Sequence, residues 1–271
     1  MLKRFITTII ALPIVILLVI LGDIFLLIPV IIASIIGLRE FYSAFNVKRM
    51  RIISYIFSSL FLLSLYIPPE LLLEFLIPTD IILIMAFFVV SINFIIVFLY
   101  KKVSLRDIGI ILYGFFYIPF MLAFLILVRE SEGGFYFVWL IFISCFGCDI
   151  FAYLTGTLIG RRKLVNSPSP SKSVEGLIGG VIGSTLLGFA FGFIIVIIDG
   201  SGEVMIMTTI TCFFGAIFSI VGDLSASAIK RHTDIKDFGK LFPGHGGMLD
   251  RLDSILMVAP FVYLVMFIWW W

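Results

Sequence analysis

Apolar residues in this chain come in unbroken blocks, not in alternation. The stretch IILIMAFFVVSINFIIVFLY (81–100) is typical. A helix needs roughly 20 such residues to cross a bilayer. The strands of a membrane barrel would instead alternate apolar and polar positions. The blocks predict about nine helical spans, at 5–21, 24–45, 52–67, 80–99, 108–128, 135–159, 177–198, 204–229 and 252–270. The first and third are short, and Pro13 is expected to kink the first. The expected fold is therefore all-α, a polytopic integral membrane protein without a separate soluble domain. Residues 1–134 hold about five spans. Residues 135–271 hold the rest, together with two long polar loops at 160–176 and 230–251.

Composition agrees with this picture. The 271 residues are 62% hydrophobic and 13% charged, with a mean hydropathy of +1.23, where a soluble domain carries about 25% charged residues. A net charge of +2 gives no ground for a nucleic-acid partner. Cys145, Cys148 and Cys212 lie in apolar runs, so no disulfide framework is implied. The Cys-x-x-Cys at 145–148 reads as small-side-chain packing. Lys3 and Arg4 before an apolar run resemble the start of a signal peptide. No small-residue cleavage site precedes Gly22 and Asp23, so the segment is expected to remain as the first span.

Charge is also sorted by side. Lys48, Arg49, Arg51, Lys101, Lys102, Arg106 and the basic residues of both long loops fall with Lys3 and Arg4 on one side. The other side has Arg129 among Asp23, Glu70, Glu74, Asp80, Glu130, Glu132, Asp199 and Glu203. The positive-inside rule places the N-terminus in the cytoplasm and the Trp269–Trp271 tail outside, which requires an odd number of spans. Both long loops then face the cytoplasm. Loops of that length usually carry function or are disordered, and these two are read as functional.

The polar loops border unusual acids. Asp250 and Asp253 sit three apart at the start of the last span and share a helical face. Asp223 lies inside span eight and Asp149 inside span six. A carboxylate costs about 2.5–3.5 kcal/mol at the middle of a membrane helix and less near its end. Four acids from three helices can converge near one membrane face, where a divalent cation or cationic partners must compensate them. Hard oxygen donors favour Mg²⁺. Lys172, Lys230, Arg231, Lys236, Lys240 and Arg251 surround them, the mixture that binds metal-chelated polyphosphate. Gly244, Gly246 and Gly247 flank His245 and would let backbone N–H groups approach an anion. Each part also has a plainer explanation. The two acids suit a helix N-terminus, the lysines suit a solvated cytoplasmic loop, and His245 alone fits a structural role as well as a functional one.

The longer segment SASAIKRHTDIKDFGKLFPGHGGMLDRLD (225–253) resembles the signature of the phosphatidate cytidylyltransferase (CDP-diacylglycerol synthase) family. Ser227, Lys230, Arg231, Lys236, Asp237, His245, Gly246, Gly247, Asp250, Arg251 and Asp253 fill its fixed places. SPSKSVEGLIGG adds Ser169, Pro170, Lys172, Ser173, Glu175 and Gly176 in a second family pattern, and DIFAYLTGTLIGRRK from Asp149 in a third. Ile150 departs from the small or hydroxyl residue that often follows the acid. The resemblance covers about residues 145–260.

This resemblance implies that CTP and phosphatidate give CDP-diacylglycerol and pyrophosphate at the cytoplasmic face of a bacterial inner membrane. The lipid phosphate would attack the α-phosphorus. With a second pKa near 6 it is already largely ionised, so no strong general base is required. Lipid would enter sideways between helices. Asp223, Asp250 and Asp253 are expected to ligate Mg²⁺, with a second cation left open and Asp149 near metal or nucleotide. Lys172, Lys230, Arg231 and Arg251 would contact phosphates, with Lys236 and Lys240 in the same binding loop. Ser169, Ser173 and Glu175 would position the 160–176 loop, and His245 with Gly246 and Gly247 would shape a phosphate cradle.

Span seven contains GLIGGVIGSTLLGFAFG, which lacks the Gly-Lys-Ser/Thr ending of a phosphate loop. Its spacings Gly176/Gly180, Gly179/Gly183 and Gly188/Gly192 predict close helix packing within or between subunits, which leaves a homodimer open. Two rival functions remain. A CTP-dependent kinase of a lipid alcohol would transfer the γ-phosphate. An ion-coupled transporter would place its acids near mid-membrane in repeated halves, and no internal repeat is seen. The Asp-x-x-Asp-Gly pattern of CDP-alcohol phosphotransferases is absent.

Overall fold

The computed structural model describes residues 13–66, 88–91, 104–164, 167–199, 202–242, 244 and 246–270. Seven helices are described in full: α1 (Asp23–Ala44), α2 (Arg51–Ser64), α3 (Leu105–Glu130), α4 (Gly134–Ile159), α5 (Val174–Asp199), α6 (Glu203–His232) and α7 (Leu249–Trp270). All but α2 are long and apolar enough to cross a membrane, which makes six candidate spans. These six match the expected spans beginning at 24, 108, 135, 177, 204 and 252. The 14-residue α2 occupies the third and is shorter than a bilayer crossing needs. The expected span 5–21 is described over 13–21 and the expected span 80–99 over 88–91; both described parts are helical, and the rest lies outside the described residues. Among the described residues there is no β-strand, only two isolated bridges.

Contacts group the chain into two compact units: Met1–Ile126 with Asp237–Leu249, and Leu127–Lys236 with Asp250–Trp271. In the first, buried Phe41, Tyr42, Phe61, Leu62, Phe115 and Ile118 form the core. Polar pairs pin its helices. The Ser34 and Ser58 hydroxyls join α1 to α2 at 2.8 Å. The Tyr42 hydroxyl meets that of Ser54 at 2.6 Å and donates to the Ile111 carbonyl at 3.1 Å. Gly114 makes room for the Tyr42 ring, since a Cβ there would sit 2.7 Å from it. α3 widens into a π turn over Phe116–Phe120, which contains Pro119. Proline lacks an N–H and crowds the preceding turn of a regular helix, and the wider turn absorbs both effects.

The second unit is organised around α5, the glycine-rich span. Gly176, Gly179, Gly180 and Gly183 face α4, where added Cβ atoms would meet the Ala152 carbonyl, Thr155, the Cys148 carbonyl and Phe151. Gly188 and Gly192 face α6, against Cys212, Thr208 and Met205. Ser184 sits between the two sets, with its hydroxyl 3.4 Å from the Ile143 carbonyl of α4 and 3.3 Å from the Cys212 carbonyl of α6. The glycine stripe thus serves packing within the chain, where small residues let backbones approach closely. Cys145, Cys148 and Cys212 are buried free thiols, and Cys148 Sγ lies 3.7 Å from the Ala216 carbonyl.

A second π turn, Ile143–Gly147, precedes Asp149 in α4. The two ends of this unit differ. At one end an apolar cleft of about 350 Å³ is lined by Gly133, Tyr136, Ile195, Val204, Met207 and Trp269. The opposite ends of the same helices carry the charges described next.

Candidate active site

The connection from α4 to α5 is built by short-range hydrogen bonds. Ser173 caps α5, its hydroxyl accepting from the Gly176 N–H at 3.1 Å. The Glu175 carboxylate accepts from the Arg161 N–H at 3.1 Å and from the Arg162 N–H at 3.1 and 3.2 Å, which ties the chain leaving α4 to the start of α5. Gly176 has no room for a side chain, because a Cβ would lie 2.9 Å from both the Ala152 carbonyl and the Ser173 hydroxyl. The loop closes as an antiparallel bridge between Lys163 and Ser173. Leu164 N–H donates to the Lys172 carbonyl at 3.0 Å, and Val174 N–H to the Arg162 carbonyl at 2.9 Å. Ser169 turns the loop before Lys172, its carbonyl accepting from the Lys172 N–H at 3.2 Å.

This loop delivers Lys172 to α6, where its Nζ lies 2.6 Å from Asp223 Oδ2. The arrangement is fastened further along α6, since Arg231 Nε donates to the Pro168 carbonyl at 3.3 Å. Lys230, Arg231 and His232 occupy the last turn of α6, where basic residues complement the helix dipole. Lys230 Nζ reaches 2.9 Å from Asp250 Oδ1 in the first turn of α7. Asp250 and Asp253 are each only 9% exposed. Asp253 Oδ1 accepts from the Ser254 N–H at 2.8 Å, and the Ser254 hydroxyl donates to the Ser219 carbonyl of α6 at 3.2 Å. Gly222, next to Asp223, permits this closeness: a Cβ there would stand 2.5 Å from the Asp253 carbonyl.

The second unit therefore brings together Asp149, Lys172, Asp223, Lys230, Asp250 and Asp253. Asp149 lies within electrostatic reach of Lys172, Asp223 and Arg251, and Asp253 within reach of Asp223, Lys230 and Asp149. Asp149 and Arg251 are exposed. Arg231 and Lys236 line a polar depression of about 380 Å³ with Asp234 and Ile235.

Among the described residues no group of three or more acidic, histidine or cysteine side chains is arranged around one metal position. Two of the expected ligands, Asp223 and Asp250, are instead paired with lysines. The donor chemistry still fits Mg²⁺. That ion is typically held by one or two carboxylates, with phosphate oxygens and water completing its shell, not by an all-protein cage.

The first unit holds the stretch that leads into α7. Phe238 is buried, Lys240 is exposed, and Phe242 N–H donates to the Gly246 carbonyl at 2.9 Å. Gly244 and Gly246 adopt φ of 80° and 83°, a region that glycine enters without a Cβ penalty. His245 lies outside the described residues. Sequence reasoning missed Glu40 of α1. Its carboxylate accepts from the Met248 N–H at 3.0 Å and the Leu249 N–H at 2.9 Å. The local signal was an acid inside an otherwise apolar span, beside Arg39.

Comparison with known proteins gives these residues a context. The chain matches the cytidylyltransferase family over residues 2–269. It is 38% identical over 168 residues to a phosphatidate cytidylyltransferase of Thermotoga maritima, covering 61% of this chain and 60% of that protein. For a Bacillus subtilis protein of the same name the values are 34% over 161 residues, with 59% and 58% covered. These two alignments span less than two thirds of the relatives' length. A third, with a Staphylococcus haemolyticus phosphatidate cytidylyltransferase, runs nearly end to end, at 30% identity over 272 residues with 97% and 98% covered. Matched along almost its whole length, the chain belongs to the cytidylyltransferase family.

Proposed function

We propose that this chain transfers the cytidylyl group of CTP to phosphatidate, forming CDP-diacylglycerol and pyrophosphate at the cytoplasmic face of the membrane that it spans. The observation that carries this reading is the pairing of Lys172 with Asp223 and Lys230 with Asp250, beside Asp149 and Asp253, at one end of an apolar helical unit. Family membership supplies the nucleotide. The lipid comes from the names of the relatives and from the sequence motifs.

In this mechanism the lipid phosphate oxygen forms a bond to the α-phosphorus of CTP as the bond to pyrophosphate breaks. Charge on the phosphoryl oxygens rises, and fixed cations are the groups that stabilise it. Lys172 and Lys230 compensate aspartates before substrate arrives and turn toward phosphates when it binds. Arg231 and Arg251 add positive charge, while Ser173 and Glu175 hold the loop that carries Lys172. Asp223, Asp250 and Asp253 would hold Mg²⁺, which neutralises phosphoryl charge and orients the polyphosphate. No side chain is asked to deprotonate the nucleophile, because a phosphomonoester is already largely ionised at neutral pH. The topology belongs to the same proposal: about nine spans, with the short α2 counted as the third, the N-terminus inside, and the 160–176 and 230–251 loops in the cytoplasm.

The test uses purified protein with phosphatidate, Mg²⁺ and CTP labelled separately at the α- and γ-phosphates. Alpha label in lipid with release of pyrophosphate is expected. Gamma label in a lipid alcohol with release of CDP would replace the proposal with a kinase. Consumption of neither by folded protein would return attention to transport.

A further inference from the structure

Glu40 is a buried acid in α1, 9% exposed, whose carboxylate accepts two successive backbone N–H groups. Those groups belong to Met248, which immediately precedes α7, and Leu249, its first residue. The first N–H groups of a helix lack intrahelical partners. They are usually capped by a side chain close in sequence. Here the cap comes from a residue 208 positions away.

The surrounding backbone is shaped to receive it. Both Gly239 and Gly247 lie against Glu40, and a Cβ at either would overlap its carboxylate group. Two glycines in one polar stretch thus leave space for the same acid. Gly37, one turn earlier on α1, has Leu249 Cδ1 at 4.0 Å from where its Cβ would stand. α1 therefore reads the start of α7 through one carboxylate, with the Leu249 side chain lying over the bare backbone of Gly37.

We infer that Glu40 is a positioning residue for the reaction proposed above: by holding the Met248 and Leu249 N–H groups, it fixes the register at which α7 begins and, through the backbone, the place of Asp250. The inference rests on the proposed function for its catalytic consequence, but not for its structural content. Asp250 follows Leu249 directly and pairs with Lys230 at 2.9 Å. An error in the first turn of α7 would pass straight into that pair. Glu40 touches no reacting atom in this account, and its effect is transmitted by the chain.

Two measurements on the full-length protein in detergent test this. Hydrogen exchange reports the two amides directly. Loss of a hydrogen bond to a charged acceptor should speed their exchange by about 10- to 100-fold in Glu40→Ala. Glu40→Gln keeps one acceptor oxygen, so one amide should stay protected and the other should not. Turnover is the second measurement. Displacement of a catalytic group by about an ångström costs on the order of 10²-fold, so kcat should fall by about that factor in Glu40→Ala with KM for CTP little changed, and Glu40→Gln should recover part of it. Gly239→Ala should reproduce the loss in wild type, and add nothing on top of Glu40→Ala.

If Glu40→Gln leaves both amides protected as in wild type, the inference is wrong. It is equally wrong if that variant loses activity only in proportion to folded protein, with normal kcat per folded molecule. If Glu40→Ala does not fold, Glu40→Gln alone decides. If the wild-type protein does not consume CTP, the proposed reaction fails, while the exchange data still decide whether Glu40 holds α7.

Discussion

Lys172 and Asp223 meet at 2.6 Å, each a little over a quarter exposed, and they join the α4–α5 loop to α6. The lysine precedes the helix cap Ser173, so backbone hydrogen bonds around it fix its position independently of the ion pair. Removing either partner takes the other's ion pair away. In Lys172→Met and Asp223→Asn alike, kcat should fall by about 10²–10³-fold, the size of effect seen on losing one preorganised group that stabilises transition-state charge. The double variant should be little worse than either single one, because residues acting as a unit are not additive. Steady-state kinetics of the three variants checks this. Multiplication of the two single effects in the double variant would show that the residues act separately.

Much of the helical frame was legible because hydropathy and helix length coincide in a bilayer. The ends were less so. Apolar runs suggested starts at 108, 177 and 252, yet α3, α5 and α7 begin at Leu105, Val174 and Leu249. These three helices start where their N–H groups find side-chain acceptors, not where hydropathy rises. Ser104 caps α3, with its hydroxyl accepting from Asp107 N–H at 3.1 Å, and Ser173 caps α5. α6 likewise runs past its expected end at 229 to His232, carrying Lys230 on the helix.

At the site, the sequence pattern selected Lys172, Asp223, Lys230 and Asp250, with lysines assigned to phosphate and acids to metal, and did not disclose their direct pairing. The direct pairs between them depend on which side chains the fold sets within 3 Å of one another, and spacing along the chain does not encode that. Glu40 escaped for the same reason. Nothing local in GLREFYSAF points to Met248. Nor did the motif disclose that Asp237–Leu249 groups with the N-terminal helices.

Lys230 and Asp250 form the more buried pair, with side chains 16% and 4% exposed. Leaving one member of a buried pair uncompensated costs about 3–5 kcal/mol, whereas replacing both with neutral groups of similar size is often neutral. Lys230→Met should therefore lower the thermal midpoint in detergent clearly. Lys230→Met combined with Asp250→Asn should recover much of that loss while remaining inactive. A double variant no more stable than Lys230→Met would mean that the pair contributes little to the fold.

Chelation separates the proposed metal from the fold. With EDTA, turnover should cease without a change in thermal midpoint, and added Mg²⁺ should restore it. Mg²⁺ is expected to be held by few carboxylates plus substrate phosphates. Asp253→Asn should consequently need more Mg²⁺ for half-maximal rate, not lose activity at every concentration. The Mg²⁺ titration at saturating CTP measures this, and an unchanged requirement would remove Asp253 from the ligand set.

The glycine stripe of α5 gives a test that involves no chemistry. At Gly183 a Cβ would overlap the Phe151 ring of α4, whereas at Gly202, before α6, nothing lies within 4 Å. Overpacking a closely packed position typically costs about 1–3 kcal/mol, and a substitution in open space stays within about 0.5 kcal/mol. Gly183→Ala should thus lower the thermal midpoint while Gly202→Ala leaves it in place. The contrast also bears on assembly. If the stripe served a contact between subunits, Gly183→Ala would change the oligomeric state seen by light scattering in detergent. With Gly183 packed on Phe151 of its own chain, the expected result is lower stability at an unchanged particle mass.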